Sequence, residues 1–322
     1  LNATDASAVA QAAQRLAAGS LVGMPTETVY GLAANADNAT AVHRIFEAKG
    51  RPADHPLIVH VASAEQVPLF AAQVPDFAQR LIDAFWPGPL TLILPRQPGV
   101  ATASAGGQDS IGLRCPSHPV AQQLLQACVA LGVHGVSAPS ANRFGRVSPT
   151  TAAHVQSELG QELLILDGGE CPVGIESTII DCSRGRPVLL RPGMLTAAQI
   201  EAVCGQPLQQ RDEQAPRASG TLESHYAPRA KVRLMTAQQL QSALDLLGAD
   251  AQHIAVYARA GLRTARGVAQ RRMPSDAAAC AQELFAVLRA LDATGVKLIW
   301  VEAPPEGSEW DGVRDRLQRA AA

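Results

Sequence analysis

Aromatic residues are scarce in this 322-residue chain, at 4%, so its core must be built mainly from Ala, Leu, Val and Ile. The six cysteines (Cys115, Cys128, Cys171, Cys182, Cys204 and Cys280) include no CxxC pair. That spacing excludes a zinc ribbon and offers no disulfide framework, which leaves reduced core thiols. No apolar run approaches the ~20 residues needed to span a bilayer. The opening segment has no basic stretch followed by an apolar one, so no signal peptide is expected. Charge of one sign is missing as well: 27 Lys and Arg stand against 29 Asp and Glu, a net charge of −2. A protein living on duplex nucleic acid would carry a basic excess, which leaves at most a local basic cleft. Neither a GxGxxG nor a Walker motif is present, so an ATP site here must be of another kind. A soluble cytoplasmic protein is expected, with no membrane partner.

Hydrophobic residues make up 47% and charged residues 17%, a globular composition sufficient for one large or two ordinary domains. "SLVGM", "HPLIVHV", "GPLTLILP", "SIGLRCP", "GVSAPSAN", "ELLILDGG", "ESTIIDCS" and "PVLLRPG" read as short strands bounded by Pro and Gly. Helical spacing marks the first segment, "ATAVHRIFEAKG", "HPVAQQLLQACVAL" and "SPTTAAHVQSELG". Several strands lie too close together for helical crossovers. The expected sheet is therefore mixed, twisted, open and largely antiparallel, within an α/β domain over residues 1–205. Residues 206–230 are polar, carry Pro and Gly, and read as a linker. Residues 231–322 alternate strand and helix, the pattern of a small Rossmann-like parallel unit.

Chemistry gathers in the first domain. "MPTETVYGL" spends Thr26, Glu27, Thr28 and Tyr30 on one short loop, either as a binding surface or as a hydroxyl-capped turn with Tyr30 in the core. Lys49 and Arg51 flank the glycine that should end a helix; Arg offers a planar fork of donors and Lys a mobile point charge. Arg114 follows an apolar strand, where a guanidinium demands a carboxylate from the chain or from a ligand. "SAPSANRFGRVSP" combines small hydroxyls with backbone amides that suit phosphate. Glu176, Ser177 and Thr178 enter one strand and Arg191 leaves another. Cations beside buried strands without a matching acidic run imply an anionic ligand, and a nucleotide polyphosphate fits better than a monoanion.

In order along the chain, "PTETVYGL", "KGRPADHPLIVH", "WPGPLTLIL", "IGLRCPSHPVA", "APSAN", "SPT", "GIESTIID" and "LLRPG" closely resemble the YrdC-like L-threonylcarbamoyladenylate synthases. "SGTLESHYAP" resembles the segment that joins the extra C-terminal domain in the two-domain members. The resemblance implies a deep positive cleft, and condensation of L-threonine, bicarbonate and ATP to threonylcarbamoyl-AMP and pyrophosphate with Mg2+. It also implies downstream transferases that modify tRNA, with tRNA itself an indirect partner. Position by position, Thr28, His60, Arg114 and Ser177 match the family's L-threonine contacts. Arg51, His55, Ser140, Ser148, Arg191 and, in the linker, Tyr226 match its ATP contacts, with Asn142 beside them and Ser110 secondary. Lys49, Arg51 and Arg114 are the expected catalytic cations, and no metal ligand is assigned. The rival enzyme is a carbamoyl adenylate-forming maturation protein, whose zinc-ribbon cysteine pairs are absent here. The rival from another class is a module binding double-stranded RNA through its backbone.

Overall fold

The structure is a computed structural model, and it describes residues 5–222 and 225–322. The chain divides into two compact units. The first holds residues up to Phe144 and Ser148–Thr221; the second holds Gly145–Val147 and residues from Leu222 to Ala322. Much of the stretch read as a linker therefore belongs to the first unit.

The strands of the first unit are β1 (Val22–Met24), β2 (Gly31–Asn35), β3 (Ile58–His60), β4 (Leu90–Pro95) and β5 (Ser110–Arg114), followed by β6 (Val136–Ser137), β7 (Leu164–Ile165), β8 (Thr178–Asp181), β9 (Val188–Arg191) and β10 (Gln209–Gln210). They form one open sheet in the order β10-β9-β8-β4-β5-β3-β6-β2-β1-β7. The β1–β2, β2–β6, β3–β6, β4–β5 and β8–β9 pairs are antiparallel, and the other four are parallel. β10 lies in the polar stretch, where two exposed glutamines give no apolar signal.

Alternation along the central strands separates two faces. Val59, Leu92, Leu94, Ile111, Leu113 and Ile180 enter a core with Phe77, Leu81 and Ile82 of the helix Asp76–Phe85 and with Ile200 and Cys204 of the helix Ala197–Cys204. Their neighbours of opposite parity, Ile58, His60, Thr91, Ile93, Ser110, Gly112 and Arg114, therefore look the other way. Helix Ala39–Lys49 starts on an Asn38 cap and ends at Gly50, whose φ of +61° is the left-handed conformation that favours glycine at this turn. All six cysteines are free and buried. Burial pushes the thiols of Cys128 and Cys171 up to about 12.

The second unit is a parallel sheet of β11 (Lys231–Met235), β12 (Ile254–Ala258), β13 (Ala269–Arg272) and β14 (Leu298–Glu302) in the order β11-β14-β12-β13. Val256, Leu240, Leu244 and Trp300 contribute to its core. Among the described residues, no helix is long and apolar enough to cross a membrane.

Candidate functional site

The loop after β1 answers the question raised by its hydroxyls. Thr26 Oγ1 accepts from the amides of Thr28 and Val29, both at 3.2 Å, and donates to the Val29 carbonyl at 2.6 Å. Thr26 is thus a turn-former. The Tyr30 hydroxyl donates to the Gly169 carbonyl at 2.7 Å and accepts from the Gly168 amide at 3.1 Å, which anchors the ring in the core. Glu27 and Thr28 remain for the site, and both are buried.

Sheet register builds the next layer. His60 and Arg114 are direct partners on parallel strands β3 and β5, so their side chains leave the same face side by side. One step beyond the Leu92–Leu113 pair, Arg114 comes opposite Thr91 on β4. Thr91 pairs with Ile179 on β8, which pairs with Arg191 on β9. One row across five strands thereby carries His60, Arg114, Thr91 and Arg191. The groups lie over a face of the sheet as well as at its rim, where the sequence pattern alone would put them. Ser110 sits lower on the same face and lines a narrow cleft with Ile58, Ile93, Gly112 and Ser219.

Arg114 is held on three sides. Its Nη1 donates to Thr28 Oγ1 at 2.8 Å, its Nε to the Gly88 carbonyl at 3.4 Å, and its Nη2 lies 2.7 Å from Glu27 Oε1. The carboxylate that a buried guanidinium demands is therefore present in the chain itself. Burial, then the neighbouring Arg114 charge, brings His60 down to about 3, so its imidazole is neutral at physiological pH.

A second group of cations gathers around the nucleotide candidates. Lys49 Nζ donates to the carbonyls of Ser140 and Asn142, each at 2.5 Å, and the Lys49 carbonyl accepts from the Phe144 amide at 2.8 Å. Burial, then the Arg51 charge, holds the Lys49 ammonium well below its usual range. Arg51 Nη2 donates to the Pro56 carbonyl at 2.9 Å and to Ser219 Oγ at 3.1 Å. Arg191 donates to the carbonyl of Ser219 at 2.8 Å, and to the carbonyl and hydroxyl of Ser177 at 3.1 and 3.2 Å. Ser177 bonds Thr91 at 2.7 Å, and Ser148 donates to Glu176. His55 packs edge-on against Phe144 beside Arg51, and burial followed by the Arg51 charge lowers its pKa.

Bonds thus connect Arg51 through Ser219 and Arg191 to Ser177 and Thr91, in the row that holds Arg114 and His60. Residues 14–193, more than half of the chain, match the Sua5_yciO_yrdC family model, described as telomere recombination. The chain belongs to the Sua5/YrdC family. Residues 195–322 match a second model, described as the threonylcarbamoyl-AMP synthase C-terminal domain, which makes this a two-domain member of the Sua5 type. A threonylcarbamoyl-AMP synthase from Pyrococcus abyssi is 39% identical over 315 residues, spanning 94% of this chain and 91% of that protein. One from Bacillus subtilis is 38% identical, over 97% of this chain and 92% of that one. The crystal structure of P. abyssi Sua5 complexed with L-threonine superposes with a TM-score of 0.90 at 37% identity, covering 98% of this chain and 95% of that one.

Within this Sua5/YrdC member, the first unit sets Thr28 on Arg114 beside His60, joins Arg51 and Arg191 to Ser177 through Ser219, and ties Lys49 to Ser140 and Asn142, with Ser148 on Glu176, His55 beside Arg51 and Ser110 lining the cleft with Ser219. Tyr226 belongs to the second unit, where it is buried, stacks on Phe285 at 5.4 Å and lies under the Arg316 guanidinium. Of the "SGTLESHYAP" segment, Glu223 and Ser224 lie outside the described residues. Two participants carried no assignment from sequence. Glu27 was visible as the loop's carboxylate, with nothing to name its partner. Ser219 lay inside a polar stretch, and only the fold reveals that Arg51 and Arg191 converge on it. Arg217 holds that stretch in place, pairing with Asp54 at 3.0 Å and donating to the Gly106 carbonyl at 2.8 Å.

Proposed function

We propose that this chain is a threonylcarbamoyl-AMP synthase: it condenses L-threonine, bicarbonate and ATP into threonylcarbamoyl-AMP and releases pyrophosphate. The observation that carries this reading is the bonded path from the cations Arg51 and Arg191 to Ser177, in a sheet row shared with Arg114 and His60. It seats an amino acid beside a polyphosphate, and the relatives that bear this enzyme name match nearly the whole chain.

The substrate carboxylate is met by Arg114, which Thr28 and Gly88 hold in place. Ser177, oriented by Thr91 and Arg191, and the neutral His60 serve the polar groups of L-threonine. The amine adds to carbon dioxide derived from bicarbonate, forming a carbamate. A carbamate oxygen then attacks the α-phosphorus of ATP, and the bond to the departing pyrophosphate breaks. Chemistry of this kind rests on positioning and charge neutralisation, which Lys49, Arg51 and Arg191 provide. Ser140, Asn142, Ser148 and His55 surround the nucleotide. The buried cysteines take no part as nucleophiles, and burial pushes the thiols of Cys128 and Cys171 up.

Among the described residues, no three His, Cys, Asp or Glu gather into a cage for a resident ion. The Mg2+ that the family resemblance implies would accompany ATP as the counter-ion of its phosphates. The product is a mixed anhydride, so its consumer is a group-transfer enzyme, here the tRNA threonylcarbamoyl transferases, with tRNA reached indirectly.

Pyrophosphate release measured with and without L-threonine, and with and without bicarbonate, tests the proposal. Release is expected only when both are present; release that ignores either one contradicts it.

A further inference from the structure

Glu27 is a buried carboxylate that its own loop declines to satisfy. It is 4% exposed, and neither of its oxygens accepts a hydrogen bond. Its one close charged neighbour is Arg114, with Nη2 2.7 Å from Oε1. Buried carboxylates ordinarily collect several N–H or O–H donors, because an unsatisfied one carries a heavy desolvation cost. Donors stand close by. The amides of Thr28 and Val29 follow Glu27 directly, yet both are given to the Thr26 hydroxyl. The Thr28 hydroxyl is engaged with Arg114 and Thr26. The Thr26 turn keeps those amides, so the carboxylate oxygens stand without an amide or hydroxyl donor. An ammonium group of a ligand brings three N–H donors to such a carboxylate.

We propose that Glu27 reads the α-amino group of the amino-acid substrate, so that Arg114 and Glu27 act as the two poles of a clamp for a zwitterion. This rests on the threonine subsite of the preceding section and deepens it, making Glu27 a specificity-determining residue. The arrangement suits the ligand's charge. The pair is neutral as a whole, positive at the guanidinium and negative at the carboxylate, and an α-amino acid presents the opposite poles on adjacent atoms. Arg114 retains N–H groups for a second carboxylate, since a guanidinium has five donors. Glu27 retains its acceptor sites for an ammonium. A hydroxy or deaminated acid fills only the Arg114 pole and leaves Glu27 unsatisfied, and discrimination arises from that penalty.

The test compares L-threonine with 3-hydroxybutanoate, which keeps the carboxylate and the hydroxyl but lacks the amino group. Each is titrated against the full chain and its Glu27→Gln variant, with ATP affinity measured alongside. The parent should favour L-threonine by at least ~100-fold. In Glu27→Gln, L-threonine should weaken about 10- to 100-fold while 3-hydroxybutanoate and ATP hold within about twofold. Equal weakening of both acids, or unchanged discrimination, overturns the inference while leaving the threonine subsite intact. A parent that binds no L-threonine overturns the subsite as well. Glu27→Asp guards against a folding defect: with ATP affinity retained, it should keep the preference for the amino acid at reduced affinity, and loss of that preference counts against the clamp.

Discussion

Replacing Arg191 by Lys keeps the charge and removes the fork, which makes it the sharpest probe of the site's geometry. Arg191 is 3% exposed and spends all three of its nitrogens on Ser177 and Ser219, at 2.8 to 3.2 Å. A single ammonium nitrogen cannot stand in three places, so two of these bonds are lost. At about 1.5 kcal/mol for each hydrogen bond to a charged donor, the loss is about 3 kcal/mol. For a unit of this size, that lowers the calorimetric midpoint by about 6–12 °C. The same fork orients Ser177 and fixes Ser219, so kcat/KM for threonine-dependent pyrophosphate release should fall by roughly a hundredfold. A midpoint shift below about 2 °C together with parental kcat/KM would refute the idea that the fork, rather than mere positive charge, organises this face.

Lys49 begins with its ammonium pushed well down by burial and by Arg51, and a bound polyphosphate should restore it. ATP binding is therefore accompanied by proton uptake, seen as a buffer-dependent heat in calorimetry and abolished in Lys49→Met; an identical heat in all buffers contradicts this. His60 is brought down to about 3 in the fold against an ordinary value near 6.5, so the unfolded chain takes up a proton there that the folded chain does not. Its contribution to stability is fully present above about pH 6.5 and is lost as pH falls toward 3, at about 1.4 kcal/mol per unit. Urea midpoints of His60→Gln should show a correspondingly shallower acid slope, and parallel slopes would exclude it. The six buried thiols should resist iodoacetamide at pH 8 in the native protein and react once it is unfolded; rapid native labelling of Cys171 would contradict its burial.

Much of the fold could be read along the chain because alternation and punctuation are local signals. "VKLIWVEAP" and "HIAVYAR" are apolar runs of strand length, and they pair in parallel as β14 and β12. β13 escaped notice for an equally local reason: Ala269–Arg272 is an edge strand of three exposed polar residues after one half-buried alanine, with no hydrophobic face to betray it. The two-residue β10 hid in the same way.

Composition and motif order determined the α/β class, the second parallel unit and the roster of cations and hydroxyls. Tertiary structure decided which of them meet. His60, Thr91, Arg114 and Arg191 are scattered along the chain, and strand order and register put them in one row. Glu27 found its guanidinium across 87 positions of sequence, and Ser219 met Arg51 across 168 and Arg191 across 28, because a mixed sheet makes neighbours of strands that the chain visits far apart. Local residue chemistry states what each side chain is able to do; only the pairing of distant strands says to whom it does it.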